Sequence, residues 1–142
     1  MTIKSFVRRL TTGIALAGLL LAPNTTFAKS AAKYGCKAAT CNGKDPQAMG
    51  CAADAKTLTA RSAYGIRVEL RYSKGCKARW ARTTIVGDTF NVSPFAYLGT
   101  GNITYRITNS RSVWSYMWAY PIRACGGIIE EGPDVEFCTG AG

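Results

Sequence analysis

Six cysteines, Cys36, Cys41, Cys51, Cys76, Cys125 and Cys138, set the terms on which this chain can fold. Their number is even, no Cys-x-x-Cys pair occurs and the chain contains no histidine. Structural zinc sites usually draw on such pairs and on histidines, so the expectation is three disulfides and no metal. Spacing alone cannot choose the pairing. Our expectation joins Cys125 to Cys138 around an acidic loop, and pairs Cys36 with Cys51 and Cys41 with Cys76. Each bridge contributes about 2–4 kcal/mol by restricting the unfolded chain. Disulfides persist in oxidising compartments, which points outside the cytoplasm.

The start of the chain agrees with that address. Lys4, Arg8 and Arg9 precede an apolar run over residues 13–22 and a polar exit ending Thr26-Phe27-Ala28, the three parts of a secretory signal. The run is too short for a membrane span, which needs about 20 residues. No cysteine lies near the expected cleavage after Ala28, which argues against a lipoprotein. Leu10-Thr11-Thr12 after Arg8-Arg9 argue against twin-arginine export. The expected organisation is a signal over 1–28 and one secreted domain over 29–142. That domain carries 15 basic and eight acidic residues, whereas the whole chain has a net charge of +10. A surplus of positive charge concentrates anionic partners, although it also serves solubility.

From Lys29 to Ala63 large apolar side chains are scarce, so this stretch reads as a stapled cap. Gly43-Lys44-Asp45-Pro46 predicts a turn in which Asp45 caps a short helix running toward Ala55, with Pro46 at its first position. Then Ile66, Val68, Leu70 and Tyr72 alternate with Arg67, Glu69 and Arg71, the period of a half-buried strand. Lys77–Val86 and Ile103–Thr108 are two further strands. Trp114, Tyr116, Trp118 and Tyr120 share one parity and predict a fourth. The fold class is mainly β: a small antiparallel sheet, sandwich or partly open barrel, with a cysteine-rich lead-in containing a short helix.

The missing histidine removes the familiar Ser-His-Asp and Cys-His catalytic arrangements and the usual catalytic zinc sites. Carboxylate pairs of the glycosidase kind remain, and Glu69 is the best single candidate, but nothing in the sequence pairs it. Between Arg67 and Arg71 it reads more simply as part of a solvated charge ladder. Glu130, Glu131, Asp134 and Glu136 form an acidic loop without the spacing of a calcium-binding EF-hand. Asn91-Val92-Ser93 and Asn102-Ile103-Thr104 match the glycosylation pattern only weakly. No cofactor is expected.

The strongest binding signal is basic and aromatic. Arg67, Arg71, Arg79, Trp80, Arg82 and Arg106 are the candidate binding residues, cations beside rings as in a surface that stacks sugars or nucleotides. The competing readings are a solvated sheet face for the arginines and core burial for the row from Trp114 to Tyr120. If that row were exposed, it would form a carbohydrate platform or a membrane-surface contact.

Cys36-x4-Cys41-Asn42-Gly43-Lys44-Asp45-Pro46 and Gly50-Cys51-Ala52-Ala53-Asp54-Ala55, followed by Val68-Glu69-Leu70-Arg71-Tyr72-Ser73-x2-Cys76-x-Ala78-x-Trp80-Ala81-Arg82, resemble the YjfA-like secreted proteins of Gram-positive bacteria. The resemblance covers residues 36–82. It implies a bacterial, exported, disulfide-containing domain of unknown function and transfers no catalytic residue. It also implies that the acids, arginines and Trp80 of this stretch belong to the domain's framework.

The leading functional expectation is a secreted, non-catalytic module that binds an anionic cell-envelope polymer. A secreted inhibitor or antibacterial toxin acting on a protein partner is the alternative, and a carboxylate-dependent glycan hydrolase is remote. Nucleic acid is a less favoured partner, and no transmembrane anchor is expected.

Overall fold

The computed structural model describes residues 33–88, 92–99, 106–121, 123–130 and 134–142, with the backbone alone for residues 106 and 107. The expected signal over 1–28 lies outside the described residues, as do Ile103–Tyr105 of the expected third strand, Asn91, Glu131 and the 102–104 glycosylation motif.

Among the described residues, eight strands form two antiparallel sheets. They are β1 (Lys56–Ala63), β2 (Ile66–Ser73), β3 (Ala78–Ile85), β4 (Ser93–Leu98), β5 (Arg106–Ile107), β6 (Ser112–Trp114), β7 (Ala124–Ile129) and β8 (Val135–Cys138). The first sheet has the order β1-β2-β3-β6 and the second β5-β4-β7-β8. The chain is therefore mainly β, as its alternation implies, and is built as two packed sheets without barrel closure.

Register explains the packing. The β1–β2 hairpin closes through Tyr64-Gly65, both at positive φ (50° and 73°), the two-residue turn whose twist matches paired strands. Glycine suits the second position because it enters this region without steric cost. From there Ile66, Val68 and Leu70 of β2 point inward with Ala81 and Ile85 of β3 and Val113 of β6. Across the sandwich they meet Ala96 and Leu98 of β4, Ala124 and Ile128 of β7 and Phe137 of β8.

The sheets pack tightly at Gly126. A methyl group there would lie 2.0 Å from Thr83 Oγ1 and 2.6 Å from the Phe95 carbonyl oxygen, so only glycine lets β7 sit on β3. Thr83 Oγ1 is buried there without a hydrogen-bond partner.

Residues 33–55 cover the opposite side of the first sheet, and here two expectations are corrected. The disulfides are Cys36–Cys41, Cys51–Cys76 and Cys125–Cys138, so only the last pair matches the expected pairing. A 3-10 turn at Ala38–Cys41 brings Cys36 and Cys41 together, with Cα atoms 5.1 Å apart. Nor does a helix run to Ala55. Asp45 does cap, its Oδ1 accepting the N–H groups of Gln47 (2.8 Å) and Ala48 (3.1 Å). Gly50 then enters the left-handed region (φ 72°), and a new 3-10 turn, Cys51–Asp54, faces Cys51 toward Cys76. The cap's end also differs, because Lys56–Ala63 is strand β1.

The expected strand from Trp114 to Tyr120 is also revised. β6 ends at Trp114, and beyond it the chain touches β3 through the Ser115 N–H, which donates to the Ala81 carbonyl at 2.9 Å, and through an isolated Arg79–Trp118 bridge. Period two persists, but its buried members are Val113, Ser115, Met117, Ala119 and Pro121. The aromatic rings occupy the other parity and do not make one platform. Trp114 packs on the cysteine cluster, Trp118 on the sandwich core, and Tyr120 is 82% exposed.

Candidate functional site

The alternation of β2 puts Arg67, Glu69 and Arg71 on the face away from the sandwich core. In the paired register Glu69 lies opposite Arg82 and Arg71 opposite Trp80, while Arg82 in turn faces Trp114 of β6. Four of the six candidate binding residues, Arg67, Arg71, Trp80 and Arg82, thus share one face.

The other two do not join them. Arg79 is three residues from Arg82 and therefore points to the opposite side of β3. There its Nη1 donates to the Pro121 carbonyl at 2.7 Å and its guanidinium lies 5.9 Å from the Tyr72 ring centre, a clamp on the chain rather than a ligand contact. Arg106 belongs to β5 in the second sheet, away from this face.

Glu69 is the centre of the shared face, and it is buried rather than solvated as the ladder reading expected. Arg82 holds its Oε2 through Nε at 2.7 Å and Nη2 at 2.6 Å. Its Oε1 accepts from Thr57 Oγ1 at 2.8 Å and faces Arg67 Nε at 3.5 Å and Arg71 Nη1 at 3.9 Å. Thr57 reaches this position because a register shift between Thr57 and Thr59 changes which side chains of β1 look outward. Arg71 is fixed in turn by Thr57 Oγ1 (2.5 Å) and the Ala55 carbonyl (3.0 Å).

Burial pushes the Glu69 carboxyl up, but the hydrogen bonds from Thr57 and Arg82 and the charges of Arg82 and Arg71 outweigh it. The net result lies below the usual carboxylate range. Such a group is a permanent anion at neutral pH and a poor proton donor. Burial and the Arg82 charge push Arg71 downward, against the pull of Glu69. Three guanidinium groups around one carboxylate leave a local surplus of positive charge.

That surplus borders a cleft of about 80 Å³ between Gln47, Ala52 and Ala55 of the cap and Arg71, Trp80, Arg82 and Trp114 of the sheet. Trp80 forms its buried floor, and Trp114 is tied to the cap by its Nε1–H donating to Asp45 Oδ2 at 3.1 Å. Sequence reasoning did not place Thr57, Gln47 or Asp45 here. The signal for Asp45 was its capping position; Thr57 and Gln47 carry none, because a bulge and a cap turn bring them in.

Residues 39–120 match the profile of a family described as "Protein of unknown function (DUF2690)". The chain belongs to this family. The matched region includes the cap from Ala39 onward, the arginine face and the cleft, and it ends before β7 and β8. No curated protein and no solved structure matches the chain. Among the described residues no helix is long and apolar enough to cross a membrane, and with three disulfides this is compatible with an extracellular protein.

Proposed function

We propose that this DUF2690 protein is a secreted, non-catalytic module, related to the YjfA-like secreted proteins, that docks on an anionic polymer of the cell envelope. The observation that carries the reading is the face formed by Arg67, Arg71 and Arg82 around the single carboxylate of Glu69, open to the cleft beside Trp80. An incoming phosphate or carboxylate group would meet fixed guanidinium donors, with Arg67 45% and Arg82 37% exposed at the side chain. The pre-set geometry of Arg71 lowers the ordering cost of that contact.

The test is retention of the protein on isolated Gram-positive cell walls across a salt series. Retention at low salt that is lost by 1 M salt is expected, since the Debye length there falls to about 3 Å. Arg67→Glu removes the most exposed of the three cations without stranding Glu69, and should weaken low-salt retention more than about tenfold. Retention unchanged in 1 M salt, or absent at low salt, overturns the proposal.

One observation favours the alternative of a protein partner. Tyr64, 73% exposed at the tip of the β1–β2 hairpin, stands near exposed Val86, whose N–H donates to the Gly65 carbonyl. Saturable capture of a secreted protein that Tyr64→Ser abolishes and Arg67→Glu leaves intact would favour it.

A further inference from the structure

The cysteine spacing disfavours a metal site, yet folding gathers four sulfurs that the sequence keeps apart. Cys36 precedes the first 3-10 turn and Cys41 ends it, Cys51 opens the second turn, and Cys76 lies in the loop after β2. Their Sγ atoms all lie within 4.8 Å of one another. Cys36 and Cys51, which belong to different disulfides, have sulfurs 3.8 Å apart. A tetrahedral centre with metal–sulfur bonds of about 2.3 Å has sulfur–sulfur edges of about 3.8 Å. The contact between the two disulfides already has that spacing.

We propose that these four cysteines form a reduction-dependent tetrathiolate site for one soft divalent cation, Zn²⁺ or its analogue Cd²⁺. The site is independent of the arginine face and of the docking reading. Three observations support it. The cysteines are buried with Ala78, Trp80 and Met117, so water and oxygen ligands are kept away from the sulfurs. The hydrogen bonds that position them do not involve sulfur: Ala38 N–H to the Cys76 carbonyl at 2.6 Å, Cys51 N–H to the Pro46 carbonyl at 2.9 Å, and Cys76 N–H to Ser73 Oγ at 3.0 Å. Reduction of the S–S bonds removes none of these donors and acceptors. Finally, Lys37 and Lys77 directly follow Cys36 and Cys76, so the segments that hold the sulfurs carry positive charge.

The chemistry balances with a dithiol reductant. Each cap disulfide accepts two electrons and two protons from one dithiol, which closes to its own disulfide, and two cysteine thiols result. Binding of the dication to the four thiols releases four protons to solvent and leaves a centre of net charge −2. The same positions would then staple the cap in either redox state, covalently when oxidised and through the metal when reduced.

The test is to reduce the protein anaerobically with an excess of dithiol, remove the reductant, and titrate with Cd²⁺ and with Zn²⁺. The expected result is one ion per chain by native mass spectrometry, with cadmium–thiolate charge-transfer absorption. On alkylation Cys36, Cys41, Cys51 and Cys76 should be protected while Cys125 and Cys138 react. Cys125→Ser/Cys138→Ser should keep the one-to-one binding, and Cys51→Ser should lower affinity more than tenfold. If Cys51→Ser fails to fold, the alkylation pattern of the unaltered protein decides. Reaction of all six cysteines in the presence of metal, or equally tight binding by the urea-unfolded reduced chain, overturns the proposal.

Discussion

Strands β2 and β3 are covered by a second sheet on the inner side and by residues 33–55 over part of the outer side, and the two covers are built differently. On the inner side a second sheet supplies Ala96, Leu98, Ala124, Ile128 and Phe137, and apolar area does the work. On the outer side residues 33–55 supply few large apolar groups and no regular strand. They are held by two disulfides and by specific hydrogen bonds, such as Asp54 accepting from Ser73 Oγ (2.5 Å) and Gly75 N–H (2.8 Å), and Asn42 Oδ1 accepting from Ala119 N–H (2.9 Å). A segment too polar to form its own core can still cover a sheet if covalent bonds reduce the entropy it must lose.

The sharpest way to break this comparison is to remove the longer staple. Cys51→Ala/Cys76→Ala opens a 25-residue separation and should cost about 3.5 kcal/mol on loop-entropy grounds. Amide exchange should then quicken across residues 33–55 while Leu70 and Ile128 stay protected; uniform loss of protection would make cap and sandwich one cooperative unit. Leu70→Ala acts from the other side. Truncating this buried residue should cost about 3 kcal/mol in denaturant unfolding and loosen both sheets together.

The smallest expected effect is acid release of the cap. Burial pushes the Asp54 carboxyl up, but hydrogen bonds from Ser73, Gly75 and Tyr34 bring it below its ordinary value, and Glu69 is lowered as well. A depressed folded-state pKa contributes stability that is present above the ordinary carboxylate range, about 4, and is lost as pH falls through the lower folded value. The inner cluster is apolar, so cap amides should lose protection at higher pH than core amides, and Asp54→Asn should flatten that difference.

The sequence shows the inner cover best where apolar and polar residues alternate, as in Ile66–Ser73, although Glu69 and Ser73 on the polar side are themselves buried. The strand register then brings Arg82 opposite Glu69 on that side. β1 escaped because a half-exposed edge strand carries no large apolar row. β7 escaped because its Ala-Cys-Gly-Gly run is buried without alternating, and Gly126 is dictated by Thr83 on another strand. Arg79 was grouped with Arg82 by proximity, although three residues along a strand reverse the face. The cap pairing depended on the left-handed step at Gly50, which leaves no periodic trace.

Strand β1 has a further consequence, for how copies of the protein meet. It is eight residues long, pairs with β2 on one side and, among the described strands, has no partner on the other. Such a free edge invites a second chain to add a strand. Here it carries Lys56 and Arg61 and no acid. Two such edges approaching each other would bring like charges together, so the strand most open to self-association is also electrostatically guarded against it.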